Sequence, residues 1–198
     1  MKTLLKFSVV FLFILIFSAQ AIAAAPKWEL DPAHSHIYFS INNIYSTIRG
    51  NFEDFKGTVM FSPDDLAGSR FDFEVTVKSI NTGHSKRDSH LNSADFFDSK
   101  QFPTMSFKST AVKHVKDNQY IVEGKMTVKD VSETVSVPFT LLGVKIYPFD
   151  DKSEVAGFEV NMTIDRLAYH VGGGKFYDMG VLGKEVDVLI SLEATRKK

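Results

Sequence analysis

The chain has 198 residues, with 23 basic and 24 acidic side chains, a net charge of −1, 18 phenylalanines and no cysteine. With no basic block beyond the terminal Arg196-Lys197-Lys198, nucleic acid is not an expected partner. Without cysteine, disulfide frameworks, thiol chemistry, thiolate metal sites and acylation as a lipoprotein are all excluded.

The first segment is an address. Lys2 and Lys6 precede a continuous apolar stretch, Phe7–Phe17, and Ala21-Ile22-Ala23 places small residues where a signal peptidase needs them. Residues 1–23 are therefore expected to be a cleaved signal peptide, since the apolar run is too short to favour a retained anchor. Cleavage after Ala23 removes Lys2 and Lys6, so that 21 basic residues remain against 24 acidic ones. Residues 24–198 are then expected to form one exported domain, with no transmembrane segment and enough chain for a substantial core.

Eight runs of period-two alternation follow. They carry Ile37, Phe39 and Ile41; then Phe55, Gly57, Val59 and Phe61; then Phe71, Phe73, Val75 and Val77. Next come Met105, Phe107, Ser109 and Ala111, then Tyr120, Val122, Gly124, Met126 and Val128, then Val135, Val137, Phe139 and Leu141. Phe158, Val160, Met162 and Ile164 form the seventh run, and Val186, Val188, Ile190 and Leu192 the eighth. Turn signals such as Ser62-Pro63-Asp64-Asp65, Asp117-Asn118 and Pro148-Phe149-Asp150-Asp151 separate them. No βαβ rhythm is visible, so neighbouring runs pair antiparallel. A barrel is favoured over a sandwich because closure removes exposed edges.

Three segments break the rhythm. Asn42–Glu53 reads as a short helix or irregular connection ending at Gly50. Asn81–Pro103 is too long for a structureless loop, and helical character over Ser89–Asp98 suggests that it folds across one barrel end. Asp165–Gly183 is the third, centred on Gly172-Gly173-Gly174.

An eight-stranded barrel is at the size where side chains fill the interior or leave room for one ligand. Gly57, Gly124, Ser109 and Ala111 in the inward register favour room, and Phe52, Phe96, Phe97, Tyr169, Phe176 and Tyr177 are available to roof an opening. Ten-residue strands tilted in the usual way give a tunnel on the order of 25 Å deep, suited to a long chain. Arg87, Asp88 and His90 can hold a headgroup at the mouth, Arg through its planar fork. They can equally pair locally or cap the following helix. Asp165-Arg166 is either a buried pair at the rim or a headgroup contact. His34 and His36 share one face of an extended strand, but no third ligand stands at diagnostic spacing, so no metal is assigned. No G-x-S-x-G or HExxH motif and no paired-carboxylate signal is present, and no catalytic residue or cofactor is assigned.

Arg87–Ser109, RDSHLNSADFFDSKQFPTMSFKS, is the stretch on which a family likeness rests. With Trp28-x-Leu30-Asp31-Pro32-x-His34-Ser35, Ile48-Arg49-Gly50-x-Phe52, Ser79-Ile80-x-Thr82-Gly83, Gly124–Val128 and Ile164-Asp165-Arg166, it resembles the YceI-like proteins over nearly the whole mature chain. The resemblance implies an extended lipocalin-like barrel with a hydrophobic tunnel for a polyisoprenoid or fatty chain, in the periplasm. One departure stands out. Where the family tends to read x-x-Phe-Gly after Ile-Asp-Arg, this chain reads Leu167-Ala168-Tyr169-His170.

The sequence thus points to an all-β, eight-stranded antiparallel lipocalin-like barrel with short helical connections. Its expected role is to bind or carry a long-chain amphiphile, as an isoprenoid quinone or precursor, a polyprenyl phosphate, or a fatty acid or amide, without turnover. The tail is expected along Phe39, Val59, Phe73, Phe96, Phe107, Met126, Phe139, Phe158 and Met162. The headgroup is expected at Arg87, Asp88, His90, Arg166 and Tyr169. A homodimer is compatible with this reading. Two rivals stay open: a metal-assisted enzyme using the histidines, and an interaction module whose barrel is only scaffold.

Overall fold

The computed structural model describes residues 24–198, and the expected signal peptide, residues 1–23, lies outside them. Its elements are β1 (Lys27–Leu30), β2 (His36–Asn43), β3 (Ser46–Phe52), β4 (Phe55–Met60), β5 (Arg70–Thr76), β6 (Ile80–Asn81), α1 (Ser85–Leu91), β7 (Thr104–Lys116), β8 (Gln119–Val128), β9 (Val131–Tyr147), β10 (Asp150–Asp165), α2 (Lys175–Asp178) and β11 (Leu182–Lys197). Strand neighbours are almost all consecutive in sequence, and every pairing is antiparallel.

The sheet closes on itself through β1. Trp28 pairs with Val59 of β4 on one side, and Leu30 pairs with Ala194 of β11 on the other. The circuit β1-β4-β5-β7-β8-β9-β10-β11 is an eight-stranded barrel. β2, β3 and β6 prolong β1, β4 and β5 beyond short breaks, with β2 pairing β11 and β3, and β3 pairing β6. The breaks are matched: Thr76 N–H donates to Asp54 O (2.9 Å) and Glu53 N–H to Ser79 O (3.2 Å), so both strands bend together.

The expected irregular connection over Asn42–Glu53 is instead the β2–β3 hairpin, with Asn43 paired to Ser46 across a two-residue turn, Ile44-Tyr45. Such turns usually announce themselves with Asn-Gly or Asp-Gly. Here the left-handed position is taken by a β-branched residue, Ile44 (φ 52°), an uncommon choice that leaves no turn signal in the sequence. A second correction concerns Ala111. A bulge between Ser109 and Ala111 shifts the β7 register, so Val112 is buried while Ala111 is only half-buried.

The barrel has two unlike ends. The connection between Met60 and Arg70 and the Asp117-Asn118 and Pro148-Phe149 turns crowd one end. The Ile44-Tyr45 and Lys129-Asp130 turns and the two long connections that carry α1 and α2 surround the other. No described helix is long and apolar enough to cross a membrane.

Candidate functional site

The interior is filled in one half and hollow in the other. In the filled half Phe61 is 1 % exposed and sits edge-on to Tyr120, Phe139 and Phe158, with ring centroids 5.2, 5.6 and 5.6 Å away. Phe71 lies 5.0 Å from Phe139, and Tyr120 stacks on Phe139 at 5.2 Å. Edge-to-face and offset contacts of this kind add to burial and leave no space for a guest. Trp28 seals this end from β1: its indole Nε1–H donates to Phe61 O at 2.9 Å, and the Arg196 guanidinium lies 4.5 Å from its ring.

Above that plug lies a cavity of about 440 Å³. Phe71, Phe139 and Phe158 form its floor. Phe39, Phe73, Phe107, Met126, Met162, Val188 and Ile190 are among its walls. Three strand glycines explain how so many rings leave a hollow. A Cβ at Gly50 would lie 2.5 Å from Phe39 Cζ, one at Gly124 would lie 2.5 Å from Phe107 Cζ, and one at Gly57 would collide with Phe73. Each ring therefore lies flat across a neighbouring strand's glycine and hugs the wall instead of projecting inward.

The mouth is narrowed by both long connections. From the α1 connection come Leu91, Phe96 and Phe97; from the α2 connection come Tyr169, Val171 and Phe176. Phe96 and Phe176 stack across the opening at 6.2 Å, and Phe97 meets Phe52 edge-on at 6.0 Å. The β8–β9 turn ties the two connections together. Lys129 Nζ donates to Phe96 O and to His170 O, both at 2.6 Å, and His170 Nδ1 lies 3.1 Å from both carboxylate oxygens of Asp130. Its own backbone N–H and then His170 hold the Asp130 carboxyl below the usual carboxylate value.

The charged residues on the wall are Arg87 and Arg166, with His90 beside them; among the described residues no carboxylate borders the cavity. Arg166 is 5 % exposed. Its Nε donates to Gly183 O (2.8 Å) and its Nη1 to Val171 O (2.7 Å), while Nη2 is buried with no partner among the described residues. Burial pushes its pKa down, with Asp165 opposing that shift. Of the two readings of Asp165-Arg166, the buried pair does not form, because Asp165 reaches outward to Lys184 at 3.3 Å. Gly172 (φ 75°) lies against this group, where a Cβ would be 2.7 Å from Nη1 and 2.8 Å from the Phe96 ring. A left-handed, close-approach position of this kind requires glycine.

Of the other headgroup candidates, Arg87 borders the cavity while its Nε and Nη2 hold Thr82 Oγ1 (2.7 Å) and Thr82 O (2.8 Å). His90 also borders it, with Nε2 3.0 Å from Asp95 and its ring 5.0 Å from Phe96. Asp88 does not reach the cavity. Its carboxylate accepts from Thr82 N–H (3.0 Å) and Thr82 Oγ1 (2.5 Å), and it neither pairs with Arg87 nor caps a following helix, because both residues lie inside α1, which starts at Ser85 and is capped by His84. Tyr169 is buried in the wall, and burial followed by the charge of Glu133 raises its phenol. Of the tail candidates, eight border the cavity, whereas Val59 is completely buried in the filled half. Residues the sequence left out include Ile48, Ile80, Leu91 and Val171. Two of these lie in connections, where no alternation marks an inward side.

The histidine cluster is elsewhere. His34 Nδ1 lies 2.8 Å from Asp31 and 3.9 Å from Glu193 at the filled end, and His36 takes no part. The bond to Asp31 raises the His34 pKa. Asp31 also accepts from Ala33 N–H (2.8 Å), as in a tight-turn cap.

The sequence profile described as the YceI-like domain matches residues 28–194. Protein YceI of Escherichia coli is 33% identical over 186 residues, covering 93% of this chain and 94% of its own. Among solved structures, BcnA of Burkholderia cenocepacia superposes with a TM-score of 0.75 at 28% identity, covering 84% of this chain and 99% of that one. A polyisoprenoid-binding domain from Saccharophagus degradans, implicated in plant cell wall breakdown, shares the fold with a TM-score of 0.62 at 13% identity, covering 84% and 97% of the two chains.

Proposed function

We propose a function from one premise: this chain belongs to the YceI-like domain family. It is an exported, periplasmic carrier that holds one long-chain amphiphile, tail inward, with an anionic or strongly hydrogen-bond-accepting head at the mouth. The observation that carries this is the pairing of an apolar hollow with a buried, half-satisfied guanidinium and, among the described residues, no carboxylate on the wall. A buried cation is costly unless it is paired and hydrogen-bonded. An acceptor arriving from the mouth would supply the partner that Arg166 Nη2 lacks.

The volume sets the tail. A cavity of about 440 Å³ with an apolar wall has room for one long apolar chain. Longer isoprenoids would leave part of the chain at the mouth. Each buried methylene contributes about 0.8 kcal/mol before ordering costs, so the tail supplies the affinity and the head the selectivity. That the related fold from Saccharophagus degradans is described as polyisoprenoid-binding supports a branched tail as readily as a linear one. Export rests on the composition of residues 1–23. The metal-assisted enzyme is the weaker rival, because the Asp31–His34–Glu193 cluster lies at the filled end, away from the cavity.

Native mass spectrometry of protein purified from an exporting host is expected to show one bound lipid. After delipidation, a fluorescent long-chain fatty acid should bind at least tenfold tighter than its methyl ester, a preference that shrinks in Arg166→Gln. Failure of the protein to bind either probe would remove the carrier reading.

A further inference from the structure

Four large apolar side chains stand exposed on the rim of the mouth. Two form the β2–β3 tip, Ile44 (61% exposed) and Tyr45 (102%); the others are Tyr177 (44%) in α2 and Met179 (62%) just after it. Tip and helix are joined. Ile44 N–H donates to Val181 O at 2.9 Å, and Asn43 pairs with Leu182. Their chain neighbours Asn43, Phe176 and Val181 border the cavity. The exposed groups are therefore the outward continuation of the cavity wall.

Ile44 marks the tip as more than a turn. A left-handed backbone (φ 52°) is unfavourable for a β-branched residue, and a side chain left in water returns little for it. Exposed apolar groups that cluster, unlike scattered ones, mark an interaction surface. The charges give the partner's chemistry. No charge stands between Ser40 and Ile48, and between Val171 and Gly183 there are only Lys175 and Asp178, of opposite sign. So neutral a rim offers little to a charged protein face, whereas tyrosine beside aliphatic groups settles well at the level of lipid headgroups. We propose that Ile44, Tyr45, Tyr177 and Met179 dock the mouth onto the surface of a lipid bilayer, so that cargo passes between membrane and cavity without crossing water. The choice of partner rests on the carrier reading, since a bilayer is where a long-chain amphiphile resides, but the docking itself needs no cargo. Shallow apolar burial holds it, not attraction to anionic lipid, so the contact is brief and indifferent to salt.

The test mixes delipidated protein, residues 24–198, with vesicles of phosphatidylethanolamine and phosphatidylcholine. Flotation is expected to carry the protein up with the vesicles, as well in concentrated salt as in dilute buffer. In Ile44→Gly, Tyr45→Ser the glycine accepts the positive φ, so the hairpin and the melting temperature should be kept. Fatty-acid affinity should also be unchanged, while vesicle binding and the rate of transfer of a bound fluorescent fatty acid to vesicles each fall about tenfold. Tyr45→Trp adds an exposed indole to the buried Trp28, and its emission should shift to the blue on vesicles. Wild-type protein that stays behind while the vesicles float would overturn the proposal, leaving the carrier reading intact if the fatty-acid probe still binds. Vesicle binding undiminished in the double variant would overturn it too, and either result would point to a protein as the rim's partner. Docking that is lost in the double variant, from a chain that binds no fatty acid, would support the proposal and remove the carrier reading alone.

Discussion

Lys129 donates from its ammonium to the backbone carbonyl of Phe96 at 2.6 Å, although the two residues sit on connections 33 positions apart. The same ammonium donates to His170 O and lies 5.9 Å from the Phe102 ring. One side chain on a hairpin tip thus pins both segments that close over the cavity.

Lys129→Met should free them. Two charge-assisted hydrogen bonds at a partly exposed site are worth on the order of 1–3 kcal/mol together. Hydrogen exchange is expected to rise at 92–99 and 166–174 while the β-strands stay protected, and release of a bound fluorescent fatty acid should quicken. Unchanged exchange in both segments would show that Lys129 does not hold them.

The wall glycines should divide into two kinds. A Cβ at Gly124 lies 2.6 Å from Lys108 O, a backbone atom that cannot move freely, so Gly124→Ala should destabilise by about 1–3 kcal/mol in urea unfolding. At Gly57 the nearest obstacle is the Phe73 ring itself, which can swing into the hollow. Gly57→Ala is therefore expected to cost less stability and to weaken long-chain binding more. Equal losses in both assays for both variants would contradict this.

Trp28→Phe should act at the filled end alone. It leaves Phe61 O without its buried donor and weakens the stacking of Arg196, together about 1–3 kcal/mol. Trp28 and Phe61 do not border the cavity, so fatty-acid affinity measured well below the melting temperature should be unaltered.

Acid should loosen the C-terminal strand. Lys197 first, then Ser153 and the Lys152 N–H, pull the Asp150 carboxyl from 3.8 to about 2. Because the folded value is depressed, its contribution is complete above the ordinary value and is lost as pH falls toward about 2. A carboxylate NMR titration should place Asp150 near the lower figure, and Lys197→Met should return it toward the ordinary range. A titration that ignores that substitution would mean that the pair does not persist in solution.

Much of the barrel is written in the chain because strand periodicity is local. Phe71, Phe73 and Val75 declare an inward face whatever they pair with, and eight such faces have few ways to be buried together. The errors fall where local rules give out. Ile44 occupies a turn that its residue type disfavours, Gly50 hides the alternation of β3, and the bulge after Ser109 changes which residue faces inward. Arg166 was recognisable as a rim residue, but its orphaned Nη2 follows from where Gly183 O and Val171 O sit, and those positions depend on the whole α2 connection.

By itself, then, the sequence determined the all-β class, the eight-stranded barrel, the inward register outside β3 and the β7 bulge, and the apolar character of the interior, since each follows from side-chain alternation over a few residues. Only the tertiary structure decided that one half of that interior is solid and the other hollow. Phe139 and Phe107 look alike as inward phenylalanines. The first interlocks with Phe61, Phe71 and Tyr120, while the second lies flat over Gly124 on the next strand. Whether a ring fills a barrel or lines it depends on what faces it across the strands, and that is a property of register and closure that no single run of residues contains.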